Sequence, residues 1–141
     1  MRNDILKYYI EVPDNLFALL CRYRVVIPGI QRHYVQGSKN PKAESVRKQF
    51  IKEIFTAIEE KQGDFNLHFI YGPINTDGED SFVPVDGQQR LTTLWLIARY
   101  AVEKAEPSDR KDLLCLLSRF TYEDRINAKR FCQALTCEDS R

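Results

Sequence analysis

The sequence predicts an α+β fold, a small mixed sheet flanked by helices with additional C-terminal helices. Two observations carry this prediction. Short β-like runs alternate with longer runs in which apolar residues recur at helical spacing. The chain has 141 residues, of which 43% are hydrophobic and 29% charged, which is enough for one compact domain with a modest core. We therefore expect a single domain over residues 1–141, with its core at about 14–105 and a helical extension at 106–141.

The first elements are predicted to be a short helix and a strand. Asp14 precedes the run NLFALL and is the predicted N-cap, because a side-chain oxygen at that position accepts a hydrogen bond from an unpaired helix amide. The β-like run YRVVIP at residues 23–28 follows. It ends where Pro28 meets Gly29.

The second predicted helix begins after a polar loop. Asn40 followed by Pro41 fits an N-cap with proline in the first helical turn. Large apolar residues then recur at helical spacing, which predicts an amphipathic helix packed on the sheet. These residues are Val46, Phe50, Ile51, Ile54, Phe55 and Ile58.

A β-hairpin is predicted next. The run NLHFIYGPI at residues 66–74 forms its first strand, broken at Gly72, and SFVPVD at residues 81–86 forms its second. The turn between them contains Asp77 and Gly78, a strong tight-turn signal. Pro84 cannot donate to a ladder, so we expect it at an edge or a strand end.

Helices are predicted for the rest of the chain. From Gly87 onward an apolar stripe predicts a largely buried helix that is broken at Pro107. The stripe consists of Leu91, Leu94, Trp95, Ala98 and Val102, broadened by Leu96, Ile97, Tyr100 and Ala101. Two further short helices are predicted, at residues 112–120 and 125–135. Because the last residues offer neither a closing strand nor a long tail, we expect the chain to be the front part of a longer protein.

Charge and cysteine usage narrow the classes of function. The formal net charge is +1, from 21 basic and 20 acidic side chains, so any phosphate binding has to be local. The four cysteines form no CxxC pair, and we expect reduced thiols. The sequence shows no signal peptide, and no apolar run approaches the ~20 residues of a membrane span. We therefore expect a cytoplasmic protein without a membrane partner.

Five consecutive polar residues, DGQQR at 86–90, open the buried helix, and two interpretations of them stay open. In a capping box, Asp86 accepts from the amide of Gln89, and the Gln89 side chain returns to the amide of Asp86. Alternatively, a helix that starts at Gly87 presents unpaired N–H groups and the positive end of its dipole to a phosphate. Arg90 then supplies a charge-assisted contact, Gln88 and Gln89 supply neutral hydrogen bonds, and Asp86 is a metal ligand or orients water or ribose.

A second polar cluster also follows a strand. Within the run VIPGIQRHY, its members are Gln31, Arg32 and the accessory residues His33 and Tyr34. If the two strands are neighbours and the chain leaves both on the same side, Arg32 converges with Arg90 around one cleft. Two arginines that meet without an anion repel each other, so such a cleft indicates a phosphate or another anion between them.

At these residues the sequence resembles the DUF262 family, typified by the GmrS-like N-terminal domain of GmrSD-type modification-dependent restriction systems. The motifs of the family run approximately I-P-x-Y-Q-R-x-Y-x-W and D-G-Q-Q-R-L-T-T-L. Residues 86–94 match the second motif completely. In the first motif Ile30 stands where an aromatic residue is usual and Gln36 where the family has tryptophan. The resemblance spans roughly residues 27–135.

The resemblance implies a fold similar to ParB and sulfiredoxin, in which a Gly-x-x-Arg loop at a helix start holds nucleotide phosphates. It also implies binding and hydrolysis of a nucleoside triphosphate with a divalent cation, Mg²⁺, coupled to cleavage of foreign DNA in phage defence. DNA is then contacted through other domains or subunits. In this interpretation Asp86 is the catalytic and candidate metal-binding residue. The phosphate-binding residues are Gln31, Arg32, Gly87, Gln88, Gln89 and Arg90.

Two alternatives stay open beside this interpretation. The domain itself cuts DNA with a metal at Asp86, or it is a non-enzymatic nucleotide-sensing or interaction module. A metal-dependent nuclease normally assembles several carboxylates, and near the motifs the sequence offers Asp86 alone. Family members usually carry a further nuclease module, often of the HNH type, and His33 and His68 do not make one.

Overall fold

The computed structural model describes residues 15–29, 39–61 and 70–137. The chain divides into two compact units, one formed by Met1–Gln31 with Ile70–Arg141 and the other by Arg32–Phe69. The first unit contains the sheet and all of the helices but one. The second contains the remaining described helix, and each unit is considered by itself.

Five helices and four strands form the described part of the chain, which confirms the α+β class. In chain order they are α1 (Leu16–Arg22), β1 (Arg24–Ile27), α2 (Pro41–Glu59), β2 (Ile74–Asn75), β3 (Ser81–Phe82), α3 (Gln88–Val102), α4 (Pro107–Leu117), β4 (Phe120–Tyr122) and α5 (Ile126–Thr136).

The four strands form one mixed sheet in the order β2-β3-β1-β4. β1 pairs in parallel with β3, where Arg24 opposes Ser81, and in parallel with β4, where Ile27 opposes Tyr122. β2 pairs antiparallel with β3 and completes the predicted hairpin. The chain therefore leaves β1, β3 and β4 at the same end of the sheet, which we call the carboxyl edge.

β4 is the element that the sequence analysis missed. The helix predicted at residues 112–120 ends at Leu117, and the chain then forms a strand whose three residues, Phe120 to Tyr122, are all buried. Three consecutive buried positions show no alternation, so neither the helical nor the strand period marks them. The helix predicted after it is confirmed as α5.

The core of the first unit is formed by residues of the sheet and of α1, α3, α4 and α5. Trp95 of α3 stacks on Phe120 of β4 with ring centroids 5.3 Å apart, and its indole N–H donates to the carbonyl of Leu117 at 2.9 Å. The predicted stripe of α3 is confirmed, since Leu91, Trp95 and Val102 are buried. Its predicted broadening is wrong at Tyr100, whose side chain is 67% exposed, and at Ala101, which is also exposed, both near the C-terminal end of the helix.

The N-cap of α1 is Asn15, not Asp14. The Asn15 side chain accepts a hydrogen bond from the amide of Ala18 at 2.9 Å, as an N-cap oxygen does for the third residue of a helix. Asp14 itself lies outside the described residues. The prediction of a short helix before β1 is confirmed.

The start of α2 is confirmed, but its predicted buried face is not. Asn40 caps the helix by accepting from the amide of Lys42 at 2.9 Å, with Pro41 in the first turn. Ile54 is buried together with Ala43 and Ala57, whereas the predicted face residues Val46, Phe55 and Ile58 are exposed. The buried face of α2 therefore contains two alanines beside Ile54. The prediction missed this face because it considered large apolar residues only. Packing of α2 on the sheet stays a prediction.

The hairpin contains a left-handed glycine, as predicted from its turn. Gly78 has a φ of +94°, and Ile74 opposes Phe82 across the two strands. Pro84 lies beyond the end of β3 at Phe82, between Val83 and Val85, whose amides both donate across the hairpin, which is a position that needs no N–H. Residues 66–69 of the predicted first strand lie outside the described residues.

Two further expectations concern the whole chain. All four cysteines fall within the described ranges and are free thiols. Among the described helices, none combines the length and apolar character that crossing a membrane requires.

Candidate functional site

The helix α3 begins at a glycine that no other residue replaces easily. Gly87 is its N-cap, with φ +81° and ψ +10°, and its carbonyl accepts from the amide of Leu91 at 2.9 Å. This left-handed conformation is unfavourable for residues with a Cβ. A Cβ on Gly87 would also lie 2.7 Å from Cγ1 of Ile70. The first turn of α3 therefore starts in a position fixed by both backbone conformation and packing.

The predicted capping box is wrong in register. It requires Asp86 at the N-cap and Gln89 three residues later, but the N-cap is Gly87. Asp86 precedes the cap and forms an ion pair with Arg90, with Oδ2 and Nη2 3.5 Å apart. The Asp86 side chain is 58% exposed and that of Arg90 22%. The sequence pattern for a box was present, but the left-handed glycine moved the helix start by one residue.

Gln88 ties the first turn of α3 back to the strand before it. Its side-chain nitrogen donates to the carbonyl of Pro84 at 2.9 Å. That carbonyl belongs to a fully buried proline. The hydrogen bond therefore links the two ends of the turn from Pro84 to Gln88. It gives Gln88 a role in positioning this turn, in addition to the phosphate contact predicted for it.

A buried hydroxyl pair joins α3 to the end of β4. Oγ1 of Thr92 donates to the carbonyl of Gln88 at 2.9 Å and lies 3.0 Å from Oη of Tyr122. The sequence analysis gave these residues no role. A threonine inside an apolar helix can bond the carbonyl four residues earlier, and that was the available signal.

A β-bulge lies immediately before Gly87. Ile74 opposes Phe82, so regular pairing would place Tyr71 opposite Val85, yet Tyr71 forms its antiparallel bridge with Asp86. The amides of Val85 and Asp86 both donate to the carbonyl of Tyr71, at 2.9 and 3.3 Å. One extra residue is therefore inserted on the β3 side. Bulges of this kind re-aim side chains and are frequent beside active sites.

The chain end of β4 brings two acidic residues to the carboxyl edge. The amide of Glu123 donates to the carbonyl of Ile27 at 2.9 Å, and its side chain accepts from the amide of Gly29 at 3.2 Å. The Asp124 carboxylate packs against Gly29. The sequence analysis missed both residues, although the run FTYEDR repeats the order of strand, polar residues and helix seen at DGQQR.

The second predicted cluster is outside the described residues. Gln31, Arg32, His33 and Tyr34 all belong to the range 30–38, so the meeting of Arg32 with Arg90 stays a prediction. The condition for that meeting, that the two strands are neighbours and the chain leaves both on the same side, is confirmed, since β1 and β3 are adjacent and parallel. The chain leaves β1 at Gly29 on the same edge at which it enters α3.

The described residues do not form a metal site from protein ligands alone. Across residues 15–29, 39–61 and 70–137, no group of three or more His, Cys, Asp or Glu side chains is placed to hold a metal ion. Asp86 is moreover paired with the guanidinium of Arg90, which lowers its attraction for a second cation. A cation at Asp86 would need most of its ligands from a bound molecule.

These features define a class of protein: an α+β domain in which a glycine-started helix opens at the carboxyl edge of parallel strands. The model of the GmrSD restriction endonuclease N-terminal domain matches residues 16–140. The chain therefore belongs to this family, the DUF262 family, and its membership points to a restriction and phage-defence system. No curated protein and no solved structure matches the chain.

Proposed function

We propose that this domain binds a nucleoside triphosphate at the carboxyl edge and hydrolyses it, in the service of a DNA-targeting restriction system. The observation that carries the proposal is the parallel pairing of β1 with β3, because it brings the start of α3 to the edge where β1 ends. In open sheets with parallel strands, ligands bind outside the carboxyl ends of those strands. A phosphate loop like that of ParB and sulfiredoxin, running from Gly87 to Arg90, belongs to this proposal.

The phosphates are held by the first turn of α3. The first turn of a helix directs its N–H groups and the positive end of the dipole toward the N-terminus, so the start of α3 at Gly87 is suited to a phosphate. Arg90 lies on the same turn and is largely buried, which strengthens a charge-assisted contact. Gln89 adds a neutral donor, and Gln31 with Arg32 completes the set from the chain segment after β1.

Asp86 handles the cation and the attacking water in this proposal. Mg²⁺ in nucleotide sites is bound through one or two carboxylates together with substrate phosphates and water, so it needs few protein ligands. A bound phosphate would pair with Arg90, and Asp86 would hold the Mg²⁺, in place of the ion pair in which Oδ2 and Nη2 are 3.5 Å apart. The Asp86 carboxylate is 58% exposed, so it can leave the pair at little cost.

DNA is contacted through other domains or subunits. The net charge of +1 gives this chain no strong overall positive field of the kind that favours binding to phosphate backbones without sequence preference. Cleavage of DNA by this domain alone would need further carboxylates at the metal. A purely sensing module would bind the nucleotide without turnover.

The test is a phosphate-release assay with each of the four nucleoside triphosphates and Mg²⁺, with and without DNA, combined with direct measurement of nucleotide binding. Arg90→Ala removes a charge-assisted bond worth ~1.5–3 kcal/mol, so binding should weaken roughly ten- to hundredfold. Arg119→Ala is the matched control, since Arg119 also forms an ion pair, with Glu79 at 2.9 Å, but stands at the opposite end of β4. This control should bind nucleotide like the unmodified chain.

The outcomes separate the candidate functions. Nucleotide-dependent phosphate release that Arg90→Ala abolishes supports the proposal. Binding without release assigns a sensing module instead. Equal nucleotide affinity in folded Arg90→Ala and in the unmodified chain would rule out this phosphate site.

A further inference from the structure

We propose that Tyr71 is the platform on which the base of the bound nucleotide stacks. The inference rests on the proposed nucleotide site and extends it from the phosphates to the base. Nothing in the DGQQR motif itself suggests Tyr71, because it lies fifteen residues earlier, on the other strand of the hairpin.

The bulge before α3 places Tyr71 next to the residues proposed to handle the phosphates. Tyr71 bridges directly to Asp86, so the two residues are neighbours on the two strands of the hairpin. Asp86 in turn reaches Arg90 at 3.5 Å. Tyr71 therefore lies beside the proposed phosphate and cation residues, on the side of Asp86 remote from α3 in the chain, where the rest of a nucleotide can extend.

The ring of Tyr71 is open to a ligand. Its side chain is 60% exposed, and Val85 beside it is 61% exposed. Within the described part of the chain, the ring contacts are those of Trp95, Phe120, Tyr122, Tyr23 and Tyr100, and none involves Tyr71. An exposed aromatic face beside a phosphate site is the arrangement with which proteins stack bases.

The backbone under the ring is held firmly. The carbonyl of Tyr71 accepts two hydrogen bonds, from the amides of Val85 and Asp86. The next residue, Gly72, lies so close to the neighbouring strand that a Cβ would overlap the carbonyl oxygen of Val83. The backbone that carries the ring is therefore already ordered before a base stacks on it, so no stacking energy is spent on ordering the chain.

Every nucleobase has a flat aromatic face, so stacking on Tyr71 does not select one base strictly. The ligand class is therefore a nucleoside triphosphate with any base, and purines should gain more from Tyr71 than pyrimidines because their faces are larger. Inorganic triphosphate, which has no base, should gain nothing from it.

The experiment is isothermal titration of ATP, CTP and inorganic triphosphate, each with Mg²⁺, into the full chain and its variants. Tyr71→Ala should weaken ATP binding roughly five- to hundredfold, weaken CTP binding less, and leave the affinity for inorganic triphosphate unchanged. Tyr71→Phe keeps the ring and should retain ATP affinity. Tyr100→Ala is the matched control, since this tyrosine is equally exposed but stands at the opposite end of α3.

The outcomes distinguish this inference from the proposed function. If Arg90→Ala weakens both ATP and inorganic triphosphate while Tyr71→Ala changes neither, stacking is overturned and the phosphate site stands. Equal weakening of ATP and inorganic triphosphate by Tyr71→Ala would assign Tyr71 a structural role and also overturn stacking. If the unmodified chain binds none of the three ligands, both proposals fail.

Discussion

At the scale of the residue, Asp86 has to serve chemistry rather than helix capping if the proposed function holds. Asp86→Asn keeps the shape and removes the charge. An exposed ion pair contributes ~0–1 kcal/mol, so the melting temperature should change little. Phosphate release should fall by roughly 10²–10⁴, the usual contribution of a group that accepts or delivers a proton. The measurement compares melting temperature with turnover.

Asp77→Asn supplies the control for that comparison. Asp77 lies in the hairpin turn, where its amide donates to Asn75 at 3.0 Å, and its side chain is exposed. Turnover of Asp77→Asn should equal that of the unmodified chain. If Asp86→Asn also turns over at the unmodified rate, Asp86 has no catalytic role.

Gly87 and Gly78 form a natural pair for testing how the start of α3 is fixed. Both have positive φ, of +81° and +94°, so alanine at either position incurs the left-handed penalty of ~1–2 kcal/mol. Only at Gly87 does the new Cβ also meet a neighbour, Ile70, whereas the space around Gly78 is open. We expect Gly87→Ala to lower the free energy of unfolding by ~1–3 kcal/mol more than Gly78→Ala does.

Urea denaturation of the two glycine variants measures this difference. A further variant, Gly87→Ala combined with Ile70→Ala, removes Cγ1, the atom nearest to the new Cβ, so its destabilisation should be smaller than the sum of the two single variants. Equal destabilisation by Gly87→Ala and Gly78→Ala would show that contact with Ile70 does not fix the helix start.

Cys132 is the buried member of the four cysteines. Burial raises the pKa of its thiol from 9.0 to about 11, while Cys21, Cys115 and Cys137 are exposed. At pH 8 a maleimide should label three thiols rapidly and Cys132 only after denaturation. Unfolding releases a proton between pH 9 and about 11, so the contribution of Cys132 to stability is complete below pH 9 and is lost as the pH rises to 11.

Mass spectrometry of the labelled chain checks the assignment of the slow thiol. Cys132→Ala should remove the slow phase and also reduce the fall of unfolding free energy with pH in that window. Rapid labelling of Cys132 in the folded chain would contradict its position on the buried face of α5.

At the scale of the element, α3 is held against the sheet by the hydroxyl pair of Thr92 and Tyr122. Thr92→Val and Tyr122→Phe each remove one hydroxyl, and each should cost ~0.5–1.5 kcal/mol or somewhat more where a partner is left unsatisfied. Because the hydroxyls contact each other at 3.0 Å, the double variant should cost less than the sum of the two. A double-mutant cycle from urea denaturation measures the difference.

Thr136→Val provides the control cycle with Tyr122→Phe. Thr136 also bonds a carbonyl four residues earlier, that of Cys132, but it stands at the far end of α5. Its effect should add to that of Tyr122→Phe. Additivity in the Thr92 cycle as well would mean that α3 and β4 are not coupled through these hydroxyls.

The sequence analysis predicted the elements that depend on interactions between residues close together in the chain. The caps at Asn40 and Pro41, the tight turn at Gly78 and the stripe of α3 all depend on neighbouring residues, and each was predicted. β4 was missed because a three-residue strand is defined by its partner β1, about ninety residues away, and has no period of its own. The bulge at Asp86 was missed for the same reason, since it exists only relative to Tyr71.

In the candidate site, too, the residues marked by a local pattern were predicted and those placed by strand pairing were not. The motif at residues 86–90 was found because its polar run contrasts with the apolar helix that it opens. Glu123 and Tyr71 were not found, because their place beside the motif depends on which strands pair and in which register. No local sequence pattern shows that two distant strands pair in parallel. The sequence analysis could therefore say only that the two polar clusters meet if the strands before them are neighbours.

At the scale of the whole molecule, the sheet gathers segments that are far apart in the chain. The ends of β1, β3 and β4 meet at the carboxyl edge although they are separated by tens of residues. Family membership points to a restriction and phage-defence system. The proposed nucleotide site would give that system a point at which turnover controls DNA cleavage. This control depends on a triphosphate binding at the carboxyl edge.

A crystal structure of the chain with a non-hydrolysable nucleoside triphosphate and Mg²⁺ tests that claim most directly. We expect the triphosphate at the first turn of α3, with a guanidinium nitrogen of Arg90 about 2.7–2.9 Å from a phosphate oxygen and the pair with Asp86 opened. The same density tests the predicted approach of Arg32. A triphosphate bound elsewhere, with Arg90 still paired to Asp86, would contradict the account.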